Sequence, residues 1–203
     1  MKALTLSLLL TADSSHAALV YSGIKDIPVP TTFGGVSIDL INSTFFNGDP
    51  ATDWSDSQVN FFFGGDGIFS GPRFLPVRED SQATSPIVNL SGGEVVDDSS
   101  VFGPVGNGAS DSQIGTGSGQ FASGTEGYLG FQLDLTGSGD FVNGFMRVTL
   151  TNGSSEGTVH DWTYSDTPGE PVIVGVIPES STFTLLGLFG LTFLSWRRRS
   201  LLS

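Results

Sequence analysis

Tyr128-Leu129-Gly130-Phe131-Gln132-Leu133-Asp134-Leu135 alternates in polarity at every step. Leu129, Phe131, Leu133 and Leu135 fall on one side of an extended chain, with Gly130, Gln132 and Asp134 on the other. Successive side chains of a strand point to opposite faces, so a period of two marks a half-buried strand. The pattern returns downstream, where Met146, Val148 and Leu150 alternate with Phe145, Arg147 and Thr149. Thr151-Asn152-Gly153-Ser154 follows, and Asn-Gly tolerates the positive φ angles of a hairpin turn. Residues 145–150 and 158–164 are therefore expected to be neighbouring strands.

Working outward, Val36, Ile38 and Leu40 alternate with Ser37 and Asp39, and Val59, Phe61 and Phe63 alternate around Asn60. Phe62 makes that second strand apolar on both faces. Shorter candidates lie at 18–21, 74–77, 87–90 and 172–176. No stretch of the body holds a helical period long enough to compete. Many short strands, turn residues between them and no intervening helix imply antiparallel pairing. The expected fold is all-β: an antiparallel β-sandwich or jelly-roll-like body over residues 18–176, between an N-terminal signal helix and a C-terminal transmembrane helix. Residues 101–127 stand apart, with eight glycines and little apolar content, and Phe121 is the residue expected to pin this loop.

Charge narrows the function. Residues 18–177 hold Lys25, Arg73, Arg78 and Arg147 against 19 acidic residues, a net of −15. Such a body has no electrostatic attraction for a nucleic-acid backbone, so no nucleic-acid partner is expected. It repels acidic polymers and anionic membrane surfaces unless divalent cations intervene. Cysteine is absent, which excludes disulfides and thiolate metal sites.

Both ends read as targeting segments. Lys2 precedes an uncharged, mostly apolar run at 3–12, and Ser15-His16-Ala17 places small residues first and third. That is the form of a secretory signal peptide, residues 1–17, read by the secretory translocon and cut after Ala17. Near the other end, residues 183–196 carry no charge. The apolar members are chiefly Phe183, Leu185, Leu186, Leu188, Phe189, Leu191, Phe193, Leu194 and Trp196. As a helix, 14 residues rise roughly 21 Å, and the interfacial entry at 178–182 extends the span toward the roughly 30 Å of a hydrocarbon core. Thr184, Thr192 and Ser195 are too few and too small to make a water-facing stripe. Trp196 suits the headgroup region, and Arg197, Arg198 and Arg199 form a cytoplasmic basic stop. A transient inner-membrane anchor is expected.

Pro178-Glu179-Ser180, then the short apolar helix, then the arginine cluster, resembles the PEP-CTERM sorting signal of Gram-negative bacteria over residues 177–203. Ser180 stands where that family has its second proline. The resemblance implies an exosortase acting near Pro178 and Glu179. A second set of stretches is similar to a recurring body segment of proteins with this tail. These are Tyr128-Leu129-Gly130-Phe131, Gly144-Phe145-Met146-Arg147-Val148 and Gly157-Thr158-Val159-His160-Asp161-Trp162-Thr163-Tyr164. That likeness implies group membership and carries no activity.

Candidate chemistry is sparse. His160-Asp161 pairs an imidazole with a carboxylate, and Gly153-Ser154-Ser155-Glu156-Gly157 matches G-x-S-x-G by letter. The motif belongs on a strand-to-helix elbow, whereas here it joins two strands. Strict alternation sets His160 on the face of Trp162 and Tyr164, with Asp161 opposite, so no direct pair is expected. Glu94, Glu126 and several aspartates offer carboxylate pairs for a glycoside hydrolase, as any acidic domain does. Asp53-Trp54-Ser55-Asp56, Gly64-Gly65-Asp66-Gly67 and Asp97-Asp98 gather hard oxygens that suit calcium as the one cofactor to consider, or serve as solvated turn aspartates. Trp54, Phe62, Phe69 and Trp162 offer rings for sugar stacking or for the core.

The sequence thus leads to an exported, non-enzymatic structural or adhesive protein of the cell surface or exopolysaccharide matrix, with extracellular polysaccharide as the candidate partner. A carbohydrate-binding module is the alternative, and a secreted glycoside hydrolase ranks behind it.

Overall fold

The computed structural model describes residues 17–48, 57–82, 85–103 and 113–178. Its strands are Leu19–Tyr21 (β1), Ile27–Val29 (β2), Val36–Asp39 (β3), Thr44–Asn47 (β4), Val59–Phe62 (β5), Gly67–Ser70 (β6) and Phe74–Pro76 (β7). Asn89–Leu90 (β8), Val95–Val96 (β9), Thr125–Asp134 (β10), Phe141–Leu150 (β11), Gly157–Ser165 (β12) and Val172–Ile173 (β13) follow. All named pairs are antiparallel, and the only helical element among the described residues is a 3₁₀ turn at Phe63–Gly65.

The alternating stretches form the centre of the larger sheet, which runs β1-β12-β11-β10-β7, with β2 also pairing β12 and β8 also pairing β10. β10 and β11 stay in register from Thr125↔Leu150 to Asp134↔Phe141. β11 and β12 are neighbours across the Asn152-Gly153 connection, as the turn chemistry predicts. A four-stranded sheet runs β4-β3-β5-β6, and β9 with β13 forms a two-stranded ribbon.

One apolar cluster draws on both large sheets. Val36, Ile38, Val59, Phe61 and Ile68 meet Leu129, Phe131, Leu133, Met146, Val148 and Trp162 there, all essentially buried. Among the described residues Trp162 is the largest fully buried side chain, and its indole Nε1–H donates to the carbonyl of Leu40 at 3.2 Å. That bond satisfies the indole and ties β12 to the turn after β3. Phe121 is likewise buried in this cluster, where it holds the glycine-rich stretch. The amide of Phe121 donates to Gln113 O and its own carbonyl accepts from Gly115 N–H, each at 3.0 Å.

The outer face of β10 departs from simple alternation. Alternation predicts that its polar positions face water, yet the β9–β13 ribbon covers part of that face. Val77, Val96, Phe145, Val172 and Val174 form a second, smaller core there, with Tyr128 packed against it. Gly130 makes room for it, because a Cβ at this position would sit 2.9 Å from methyls of both Val77 and Val96. β2, β4, β6 and β9 have no counterpart among the expected strands. They are two to four residues long, and Pro28 within β2 removes a ladder donor, which restricts that strand to an edge.

The strand at Val59 ends one residue earlier than its alternation suggests. Phe63 takes φ 51° and starts the 3₁₀ turn, leaving its ring 41% exposed.

Candidate functional site

The chemistry-bearing groups collect on the outer face of the larger sheet, across β1, β12, β11 and β10. Arg147 on β11 donates to Asp161 Oδ2 on β12 through Nε at 3.1 Å and Nη2 at 2.6 Å. Its Nη1 reaches Glu126 Oε2 on β10 at 3.0 Å, and Tyr21 OH on β1 donates to Asp161 Oδ2 at 3.3 Å. One row of side chains therefore crosses four strands. Asp161 is 1% exposed, so its charge depends on these donors. The hydrogen-bonded Asp161 carboxylate raises the Arg147 pKa further above its ordinary value, against the opposing effect of burial. Burial, then the nearby Asp161 charge, push the Tyr21 phenol up.

A bulge places a second group beside this row. Arg147 pairs with Asp161 but Val148 pairs with Val159, so His160 is an extra residue in β12. The extra residue breaks the alternation, as β-bulges do. His160 consequently lies on the outer face with Asp161, and not with Trp162 and Tyr164 as strict alternation requires. Its Nε2 lies 2.9 Å from Thr149 Oγ1, and its Nδ1 lies 2.7 Å from Asp26 Oδ1. Asp26 has φ 45°, and the amides of Lys25 and Asp26 both donate to the His160 carbonyl, at 2.7 and 3.2 Å. The loop before β2 thus wraps the bulge.

The order carboxylate, imidazole, hydroxyl is that of a nucleophile relay. Among the described residues, the remaining parts of such a site are not assembled around it. The hydroxyl belongs to a β-branched residue in mid-strand, where its backbone lies in the ladder between β10 and β12. Ser154, the nucleophile suggested by the letter motif, donates instead to Asn152 Oδ1 at 2.6 Å on the exposed hairpin loop. His160 and Asp161 do not bond each other, and each has other partners. What the arrangement does is brace strands: β1 to β12 to β11 to β10, and the loop before β2 to β12 to β11.

The other sequence candidates disperse. Asp97 Oδ1 accepts from the Ser99 amide and hydroxyl at 2.8 and 2.6 Å, which holds its carboxyl below the usual range. Asp98 Oδ1 faces Gln132 Nε2 at 3.4 Å, and Glu94 accepts from the Ser91 amide. Asp66 closes the 3₁₀ turn through its amide to Phe63 O at 3.2 Å. Among the described residues, no group of three or more His, Asp and Glu is placed to hold a metal ion. Trp162 is buried and offers no free ring face, and Phe69 is half-buried. Phe62 is buried too, but it joins an aromatic triad with Phe33 and Phe63, with ring centroids 5.4–5.9 Å apart. Phe33 is 57% exposed.

Asp53, Trp54 and Asp56, and the segments 1–16 and 179–203 on which the signal-peptide and sorting-signal expectations fall, lie outside the described residues. Among the described residues, no helix is long and apolar enough to cross a membrane. Ala17 and Pro178 are the first and last of the described residues. Ala17 lines a shallow groove with Leu19, Glu170, Val172 and Val176, so the two ends of the described chain lie close together.

Sequence reasoning missed Asp26, Thr149 and Tyr21 as partners. The single local signal is the contiguous His160-Asp161 pair, which does not reveal a bulge. Comparison with protein-family models gives no match, and comparisons with characterised proteins and with solved structures give none either.

Proposed function

We propose that this chain is an exported structural or adhesive protein of the cell surface or exopolysaccharide matrix, sorted by an exosortase through residues 177–203. The observation that carries the reading is the order Pro178-Glu179, uncharged run at 183–196, then Arg197-Arg198-Arg199. An apolar run closed by a basic cluster is a membrane-retained end oriented with its arginines in the cytoplasm. The shared groove of Ala17 and Val176 supports it, since a leader and an anchor would then leave the body on the same side.

The body is a β-sandwich of jelly-roll type in this reading. Support comes from the larger apolar cluster, which is fed by both large sheets. A net charge of −15 over 18–177 keeps such a body soluble by self-repulsion, and bridging calcium would let it sit among acidic polysaccharide chains. No catalytic role is assigned. The test is fractionation of the full chain against a chain ending at Ile177. Membrane retention of the first and periplasmic release of the second is expected, and equal release of both overturns the reading.

A second reading has its own observation. The exposed rings of Phe33 and Phe63, backed by Phe62, form an aromatic surface of the type that stacks on sugar rings. A glycan array separates the two. Saturable binding lost in Phe33→Ala and Phe63→Ala makes the chain a carbohydrate-binding module, and absence of binding leaves the matrix role.

A further inference from the structure

The export reading has a consequence at the first residue of the body. Ala18 N–H donates to Asp166 Oδ1 at 2.9 Å, and the Asp166 amide donates back to the Ala18 carbonyl at 2.9 Å. The two residues extend the β1–β12 ladder one step beyond its last pair, Leu19↔Ser165. The Asp166 carboxylate is therefore aimed at the backbone nitrogen that follows Ala17.

We infer that Asp166 receives the α-ammonium created when the leader is cut after Ala17. The inference rests on the export reading above. Water hydrolyses the Ala17–Ala18 peptide bond: its oxygen goes to the Ala17 carboxylate, and the released Ala18 nitrogen is protonated to an ammonium at neutral pH. Where one amide N–H stood there are now three donors and a positive charge, 2.9 Å from a carboxylate oxygen. A neutral contact becomes a charge-assisted one with no rearrangement of the strand.

The charge inventory favours this assignment. Asp166 has no Lys or Arg partner among the described residues. Arg147 is engaged by Asp161 and Glu126, Arg73 Nε donates to the Asp134 carbonyl, and Arg78 Nη1 donates to the Ser85 carbonyl. Thr167 Oγ1 donates to the same Asp166 oxygen at 2.9 Å and holds the carboxylate in place. Glu170 is a second carboxylate beside the site, lining the groove that Ala17 shares with Val172 and Val176. The body has few cations and many acids, and processing supplies one more cation where an acid waits for it.

The experiment uses the full-length chain, produced in an exporting Gram-negative host and isolated after processing. N-terminal sequencing is expected to read Ala18-Leu19-Val20. The protein is then treated at pH 7 with a limiting amine-acylating reagent, and modification at Ala18 is compared with that at Lys25, the one lysine of the processed body. An ammonium held by a carboxylate exposes less free amine, so the Ala18-to-Lys25 ratio should rise about three-fold in Asp166→Asn. Asp166→Glu, which keeps the charge, should stay nearer the wild type. A start other than Ala18 overturns the cleavage reading on which the inference stands. A start at Ala18 with equal ratios in wild type and Asp166→Asn overturns the assignment to Asp166 alone.

Discussion

Arg147 grips a single oxygen of Asp161, Oδ2, with both Nε and Nη2, at 3.1 and 2.6 Å across the β11–β12 ladder. The pair sits where the ladder changes register, so it holds β12 on both its charge and its bulge. Asp161 is nearly inaccessible and Arg147 a quarter exposed, which makes the two partners unequal.

Removing the arginine strands a buried carboxylate. Arg147→Met should lower unfolding stability by roughly 2–4 kcal/mol in urea denaturation. Replacing both, Arg147→Met with Asp161→Leu, should cost clearly less than the single change, because no buried charge is left unpaired. A double variant as unstable as the single one would mean that the bulge, and not the charge, sets the cost.

Trp162 joins the sheets through shape and through one hydrogen bond. Trp162→Phe leaves a cavity and an unsatisfied Leu40 carbonyl, for an expected loss of about 2–3 kcal/mol. Thermal melting followed by circular dichroism checks it, since the change also removes the buried indole that fluorescence would report.

Two tyrosines make the fold sensitive to alkali. Burial raises Tyr21, with Asp161 adding to it, and burial raises Tyr164, with Asp39 adding to it. A phenol whose folded pKa exceeds its unfolded value of about 10 binds its proton more tightly in the native state. The resulting stability is complete below about pH 10 and is lost as pH climbs through the folded pKa. Denaturation midpoints should therefore fall above pH 10, and fall less in Tyr21→Phe with Tyr164→Phe. Tyrosinate absorbance gives the titration directly.

Acid should act at the β10–β11 turn. Burial disfavours the charged form of Asp134, but the amides of Gly139, Gly137 and Thr136 outweigh it and hold the carboxyl below its usual range. A depressed carboxyl contributes stability above its unfolded pKa of about 3.9 and loses it as pH falls through the folded value. Asp134→Asn should unfold with a shallower dependence on pH below 4, measured by acid titration of the circular dichroism signal.

The centre of the larger sheet was legible from residues 128–164 because one face of each strand packs into the larger core. Alternation is a local property, and a half-buried strand writes it directly into neighbouring residues. The same holds for the Asn152-Gly153 turn and for the acidic balance of the body. Both follow from the chain without knowledge of what lies opposite.

The partners of His160 were not legible. Asp26 is far away in sequence, and Thr149 faces His160 only because β12 carries one extra residue. A one-residue bulge reverses the face of a side chain while leaving composition and spacing unchanged. The buried outer face of Gly130 is a similar case, since it depends on a β9–β13 ribbon formed by residues from two distant stretches. Sequence by itself determined the strand class, the antiparallel centre and the charge of this protein, since those depend on nearest neighbours along the chain. Tertiary structure alone decided which polar groups meet, because ladder register and sheet edges are set by contacts between residues far apart in the chain.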